Sequence, residues 1–165
     1  MKTTKKLLAM CFVAMTMMFS ACSEKENEPV DIDLTGTSWE ANIENVYNYQ
    51  GLMEISISGV LSMDFSSSTE GELFTDVTMS AAGMQDQSMN ETEPFTYTFD
   101  GTTLTLTSTG ENAVPGDNGT MTYNAADKTF FMMVPDEEIA QGMNLRDIFG
   151  SDRVVFRLVR GTVNF

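Results

Sequence analysis

The residue types that most often carry chemistry are scarce in this chain of 165 residues. It contains no histidine and two cysteines, against 24 acidic side chains. Histidine is the commonest general base near neutral pH and the commonest metal-ligand side chain. Cys11 lies inside an apolar run near the start, which leaves Cys22 as the other thiol. Mechanisms that pair a serine or cysteine nucleophile with histidine are therefore excluded.

Carboxylates are the reactive groups that remain. A pair of carboxylates can hydrolyse a glycosidic bond, but no pair here is set apart by a surrounding motif. Three short acidic clusters could offer oxygen ligands to calcium, although none has the spacing of an EF-hand loop. These clusters are Asp31-Ile-Asp33, Gly116-Asp-Asn-Gly119 and Asp136-Glu-Glu138. Because a linker, a turn and a helix start explain them, we expect no catalytic residue, no metal site and no cofactor.

The charge balance restricts the partners of this acidic protein. Nine Lys and Arg residues against 24 Asp and Glu residues give a formal net charge of -15. A surface that binds phosphates needs a basic face, so nucleic acid is excluded as a partner. The same charge opposes electrostatic attachment to an anionic membrane. Since 42% of the residues are hydrophobic, the chain can still form a packed core.

Residues 1–21 have the layout of a secretory signal peptide. Lys2, Lys5 and Lys6 precede an uncharged, mostly apolar run from Leu7 to Phe19, and small residues follow. This run is shorter than the about 20 residues that a membrane-spanning helix needs. The pattern favours a cleaved export signal, and a transmembrane anchor is the alternative.

The end of this segment resembles the lipobox of bacterial lipoproteins. Ser20 and Ala21 stand directly before Cys22, with Phe19 where the motif usually has leucine. The resemblance implies cleavage before Cys22, a diacylglyceryl thioether on its sulfur, and acyl chains such as palmitate. Two or three acyl chains hold a protein stably at a membrane, whereas one does not. The expected location is the cell envelope, lipid-anchored in the outer membrane on its periplasmic or cell-surface face, and secretion with Cys22 unmodified is the alternative.

The segment 22–33 is polar and acidic and shows no apolar period. It is predicted to be a flexible tether that joins the lipidated Cys22 to a folded domain over residues 34–165. Ser23 is compatible with sorting to the outer membrane. The acidic stretch also resembles the export signals of surface lipoproteins in some Gram-negative bacteria, and a merely solvated linker is the alternative.

The folded domain is predicted to be a run of strands. Met53 to Phe65 alternates, with apolar side chains at odd positions, and Gly59 in its middle suggests a bend or bulge. Asp100-Gly101 predicts a tight hairpin turn between two further alternating runs. Pro135 to Phe149 is the one helix prediction, and 81–93 is predicted to be a loop. The eight predicted strands cover residues 38–48, 52–65, 72–79, 93–99, 102–108, 119–124, 128–134 and 152–159.

Consecutive strands joined by short turns favour an up-and-down arrangement. We therefore predict an all-β fold, an eight-stranded antiparallel barrel with one short helix before the last strand. Closure of such a barrel removes both edges of the sheet. A β-sandwich is the alternative.

The layout of residues 34–160 resembles the lipocalin-like domains of bacterial lipoproteins. Gly36 and Trp39 open the first strand, with one residue more between them than in the Gly-x-Trp pattern of that family. In the family, this tryptophan closes the barrel base and is stacked by an arginine near the last strand. The resemblance implies a structural cation–π pair between Trp39 and either Arg157 or Arg160.

Lipocalin-like domains often bind small apolar molecules inside the barrel. The resemblance thus implies a membrane-anchored, non-enzymatic binding module for such a molecule. The interior that would line the site consists of Ile55, Ile57, Phe65, Phe95, Tyr97, Phe99, Tyr123 and Phe156. Small barrels can also be filled by their own side chains. The alternative is an interaction or assembly module that docks on another envelope protein through its loops at 81–93, 109–118 and 135–150.

Overall fold

The strands follow one another along the chain and around a barrel. The computed structural model of this protein describes residues 29–49, 51–110, 118–140 and 143–163. In chain order its elements are β1 (Ser38–Tyr49), β2 (Met53–Phe65), β3 (Glu70–Ala81), β4 (Gln87–Phe99), β5 (Thr103–Ser108), β6 (Asn118–Asn124), β7 (Thr129–Met133), β8 (Glu138–Ala140), β9 (Met143–Asn144), α1 (Leu145–Phe149) and β10 (Arg153–Arg160).

Eight of these strands close into an antiparallel barrel in the order β1-β10-β7-β6-β5-β4-β3-β2. Strands β8 and β9 pair only with each other in the described part of the chain. The predicted all-β, eight-stranded, up-and-down barrel with a short helix before its last strand is confirmed, and the sandwich is excluded. In the same ranges, no helix is long and apolar enough to cross a membrane.

Strand β2 shows how the alternating sequence produces this architecture. Its odd-numbered residues face the interior, where Ile55 and Ile57 are buried, and the intervening Glu54 and Ser56 are exposed. The bulge predicted at Gly59 is absent from β2, because its register with β1 and with β3 runs through this position without a shift. Gly59 instead permits close packing, since a Cβ atom there would overlap the backbone of β3.

The loop predicted over 81–93 is wrong for most of its length. Strand β3 continues to Ala81 and β4 begins at Gln87, so the hairpin turn occupies only residues 82–86. The paired strands remain in register to the end, where Met79 lies opposite Gln87. The sequence showed no period because this part of the hairpin extends beyond the packed core, where neither face needs to be uniformly apolar.

The helix predicted over Pro135–Phe149 is correct only for its last turn. The side chain of Asn144 accepts a hydrogen bond from the N–H of Arg146 at 2.9 Å and starts α1, and Gly150 ends α1 in the left-handed region at φ 64°. The acidic cluster before it does not start a helix, since Glu138 belongs to β8.

The segment 29–34 packs on the barrel base. The N–H of Val30 donates to the carbonyl oxygen of Gly101 at 2.9 Å, and Ile32 and Leu34 are 8% and 2% exposed within the core. Part of the predicted tether, residues 22–28, lies outside the described residues, as does the predicted signal peptide. Residues 30–33, which were predicted to belong to the tether, thus pack on the domain.

Candidate functional site

The interior is filled with aromatic rings at the end where β1 begins, which we call the closed end. Trp39 is 0% exposed and meets the ring of Phe130 edge-on, with 4.8 Å between the ring centroids. Phe65 meets Tyr97 and Phe95 in the same manner at 4.8 and 5.8 Å. Edge-to-face pairs at these distances are favourable beyond the burial of their surface. This half of the barrel is a packed core.

The predicted ligand-lining residues belong to that core and to its continuation. All of them except Phe99 are at most 6% exposed. Phe99 is half-buried, and its ring lies 6.1 Å from Tyr123 and 5.7 Å from Phe130. Six of the eight predicted residues pack together in the closed-end cluster: Phe65, Phe95, Tyr97, Phe99, Tyr123 and Phe156. The remaining two, Ile55 and Ile57, form a second cluster with Ile43.

Hydrogen bonds from side chains fix Trp39 at the closed end. Its indole N–H donates to the hydroxyl of Thr37 at 2.9 Å, and that hydroxyl donates to the carbonyl oxygen of Leu34 at 2.6 Å. Gly36 turns the chain into β1 at φ 76°, a conformation that glycine adopts without strain. Trp39 is therefore fully buried, and its indole N–H has a hydrogen-bond acceptor.

The predicted stacking of Arg157 on Trp39 is not formed. The residue of β10 opposite Trp39 is Leu158, whereas Arg157 lies opposite Glu40 and is exposed. Successive residues of a strand point to opposite faces, so this register places the arginine outside the barrel. Arg160, the other predicted partner, pairs instead with Asp64 at 3.3 Å.

A cleft of about 540 Å³ lies at the closed end, between residues 29–34 and the turn that joins β4 to β5. Two of its carboxylates, those of Asp33 and Asp100, accept hydrogen bonds from the local backbone. Asp33 accepts a hydrogen bond from the N–H of Thr35, and Asp100 accepts two from Thr102 and Thr103. Hydrogen bonds from Thr35 lower the pKa of the Asp33 carboxyl, and those from Thr103 and Thr102 lower the pKa of the Asp100 carboxyl. Among the residues described, no three His, Cys, Asp or Glu side chains come together as a metal site.

The opposite end of the barrel, which we call the open end, has a different construction. Strands β1 to β4 have 12 or 13 residues each, whereas β5, β6 and β7 have five to seven. Within the described ranges, β1 pairs with β10 only over Ser38–Glu40, and β4 pairs with β5 only over Phe95–Phe99. The four long strands thus continue past the closed ring as a sheet.

The inner face of this sheet carries a half-buried apolar surface. Its floor is the buried cluster of Ile43, Ile55 and Ile57. The side chains around this floor face the same way, as the strand register requires, and each remains partly accessible. We call this surface the open-end face, and it consists of Tyr47, Tyr49, Met53, Val77, Met79, Ala81 and Met89.

Helix α1 and three carboxylates border the open-end face. Phe149 of α1 packs against the isoleucine cluster, and the side-chain amide of Asn45 donates to the carbonyl oxygen of Asp147 at 2.5 Å. Partial loss of hydration raises the pKa of the Tyr47 hydroxyl, and the nearby Asp147 carboxylate raises it further. Glu91 and Glu93 share the inward-facing side of β4, opposite Thr75 and Leu73.

The sequence-based prediction named residues inside the barrel and did not identify the half-buried open-end face. The stretch that contains Met89 shows no apolar period, and the sequence pattern does not reveal where the neighbouring strands end. The difference in strand length creates the half-covered surface. Cys22, residues 111–117 of the predicted loop 109–118, and residues 141–142 lie outside the described residues.

The geometry leaves one packed end and one open end, with a half-buried apolar surface at the latter. No protein-family model, no curated protein and no solved structure matches this chain significantly, so its function has to be inferred from its sequence and geometry.

Proposed function

We propose that this protein is a lipid-anchored lipoprotein of the outer membrane that binds a small apolar molecule without transforming it. The open-end face is the binding site. The observation that carries the proposal is the contrast between the two ends, because the closed end is packed with rings while the open end leaves an apolar surface half-covered above Ile43, Ile55 and Ile57.

The chemistry of this surface suits an apolar ligand. Small-molecule sites are concave and mostly apolar, with few polar groups that fix orientation. Methionine side chains adapt to irregular shapes, and tyrosine combines a large apolar ring with a polar hydroxyl. Covering apolar surface is favourable by roughly 25 cal/mol per Å². Met53, Met79 and Met89, with Tyr47 and Tyr49, provide such a lining.

The carboxylates at the border of the open-end face restrict the charge that the polar end of the ligand can carry. Glu91, Glu93 and Asp147 place carboxylates around it. A ligand with an anionic end would meet repulsion from these groups over distances of up to about 8 Å at physiological ionic strength. We therefore propose an apolar molecule whose polar end is neutral or positively charged.

The membrane anchor and the absence of catalysis are proposed on the sequence. The basic, apolar and small-residue segments before Cys22 support export and lipidation of this thiol. The lack of histidine and the use of the acidic residues in turns and on strand surfaces support a role in binding.

Native mass spectrometry of the protein purified from its own envelope tests the proposal. We expect an additional small mass that leaves on denaturation. Met79→Lys, which puts a charge into the open-end face, should abolish this mass, while the adjacent Ser80→Lys on the outer face should retain it. A bare wild-type protein, or equal retention by both variants, would contradict the proposed site.

A protein partner at the open end is the second candidate. Leu52 and Met84 are 82% and 61% exposed in the two hairpin turns that flank the open-end face. Exposed apolar side chains beside an apolar surface are typical of contact sites. A double Leu52→Ser and Met84→Ser variant should then lose a partner cross-linked in the intact envelope, whereas Val46→Ser, which changes an exposed valine on the outer face, should keep it.

A further inference from the structure

We infer that the open end faces away from the membrane that anchors the chain, so the ligand reaches the open-end face from the aqueous side and not from that bilayer. The inference rests on the proposed lipid anchor at Cys22 and on the proposed binding site. Its new content is the direction from which the ligand arrives.

The chain enters the folded domain at the closed end. The hydrogen bond from Val30 to Gly101 ties the entry point to the turn between β4 and β5. A Cβ atom at position 101 would lie 2.8 Å from the nitrogen of Val30, so the two backbones are in close contact there. Because Ile32 and Leu34 are buried in the core, this entry point cannot move without unfolding of the barrel base.

The connection from the lipid to this entry point is short. About seven peptide units separate Cys22 from Pro29. Fully extended, they span roughly 25 Å at about 3.5 Å per residue.

The barrel is longer than this connection. Strands β1 and β2 have 12 and 13 residues, which at about 3.4 Å per residue and a tilt of about 40° correspond to roughly 30 Å along the barrel axis. To place the open end on the bilayer, the segment from Cys22 would have to run the full length of the barrel, which exceeds even its fully extended span. The closed end is therefore held next to the membrane.

The wall of the barrel opposes a third arrangement, in which the domain lies on its side. Glu44, Glu54 and Asp76 are exposed on the outer face of β1, β2 and β3. An anionic lipid surface repels such a wall. The molecule consequently presents its open end to the aqueous compartment, where a dissolved ligand or a carrier protein can reach it.

Energy transfer from single labelled cysteines to lipid headgroups tests the orientation. Because acylation occupies the thiol of Cys22 in the processed chain, Leu52→Cys at the open end and Ala126→Cys at the closed end give unique labels, with Met84→Cys as a second open-end position. In vesicles that contain anionic lipid and carry a headgroup acceptor, we expect transfer at least about twofold higher from position 126, given the roughly 30 Å between the ends.

A longer tether provides the control. Insertion of about 20 Gly and Ser residues after Lys25 should reduce the difference between the two labels, because the chain then reaches past the barrel. Equal transfer with the native tether, or higher transfer from position 52, would overturn the inference. A processed chain that does not associate with vesicles would refute the anchor and the orientation together, while loss of the bound mass on Met79→Lys would still report on the binding site alone.

Discussion

Trp39 illustrates how one residue organises the closed end. Its ring contacts Phe130 and Tyr123, and its N–H is satisfied by the hydroxyl of Thr37. The sequence predicted burial of this tryptophan correctly. The predicted arginine partner of Trp39 was wrong because the register of β1 and β10 puts Leu158 opposite Trp39 and turns Arg157 outward. A single sequence does not reveal this register.

Replacement of Trp39 by alanine should therefore strongly destabilise the protein. We expect Trp39→Ala to lower the free energy of unfolding by about 3–5 kcal/mol, since it removes a fully buried aromatic side chain. Arg157→Ala should change it by less than about 0.5 kcal/mol, as expected for an exposed side chain without a buried contact. Urea unfolding measures both values, and a large loss for the arginine variant would restore the predicted stacking.

The turn at Asp100 makes the stability of the protein depend on pH. Hydrogen bonds from the N–H groups of Thr103 and Thr102 lower the pKa of the Asp100 carboxyl. The stabilisation is fully present above the pKa of the unfolded chain, about 4, and is lost as the pH falls through the lower pKa of the folded state. Wild-type protein should therefore melt at a higher temperature than Asp100→Ala above pH ~4, and the difference should shrink in more acidic solution.

At the scale of elements, the sequence-based predictions agree with the structure where the strand belongs to the packed core. Strand β2 was found because most of its inner face is buried, at Ile55, Ile57, Met63 and Phe65, and burial of one face strengthens the alternation. The ends of β3 and β4 were missed because Met89, Glu91 and Glu93 share one face there, in a region beyond the pairing of β4 with β5. The length of α1 was overestimated because the acidic cluster before it reaches into the β8–β9 hairpin.

Gly59 determines how closely β2 and β3 approach. A Cβ atom at this position would overlap the carbonyl oxygen of Asp76 and crowd the backbone at Val77. Gly59→Ala should destabilise the protein by about 1–3 kcal/mol, as overpacking does. The neighbouring Ser58→Ala, which changes an exposed side chain, serves as the control in chemical denaturation, and an equal effect of both variants would exclude this explanation.

The segment before β1 is an element of the domain, although it forms no strand. A chain that begins at residue 34 should melt at a lower temperature than one that begins at residue 29, because it lacks Ile32 and the hydrogen bond from Val30 to Gly101. In the longer chain, Ile32→Ala should lower the free energy of unfolding by about 2–5 kcal/mol. Asp31→Ala, which alters an exposed neighbour, should leave this free energy nearly unchanged. Equal melting of the two chain lengths would restore the boundary at residue 34.

At the scale of the whole molecule, the two ends differ in how many strands hold each residue. The closed end is a complete ring, while the far halves of β1 and β4 are paired on one side only in the described ranges. Backbone hydrogen bonds with few buried apolar contacts open with low free energy. The sequence predicted the ring but not this gradient, because strand lengths depend on partners that are distant along the chain.

Hydrogen exchange makes the gradient measurable. We expect the amides of β4 to exchange at least tenfold faster over Gln87–Met89 than over Phe95–Phe99, because local opening costs less at the open end. A bound ligand should slow exchange in the first range and leave the second unchanged. Uniform protection along β4 would show that the open end is covered as completely as the base.

The attachment of residues 30–34 also decides how the molecule carries a mechanical load. A pull on the amino-terminal side of the chain acts first on the hydrogen bond between Val30 and Gly101 and then on the packing of Ile32 and Leu34. These contacts transfer the force to the aromatic base, where Trp39, Phe65 and Phe130 are fully buried. The open-end face lies at the opposite pole, so tension along the chain leaves its shape unchanged until the base itself gives way.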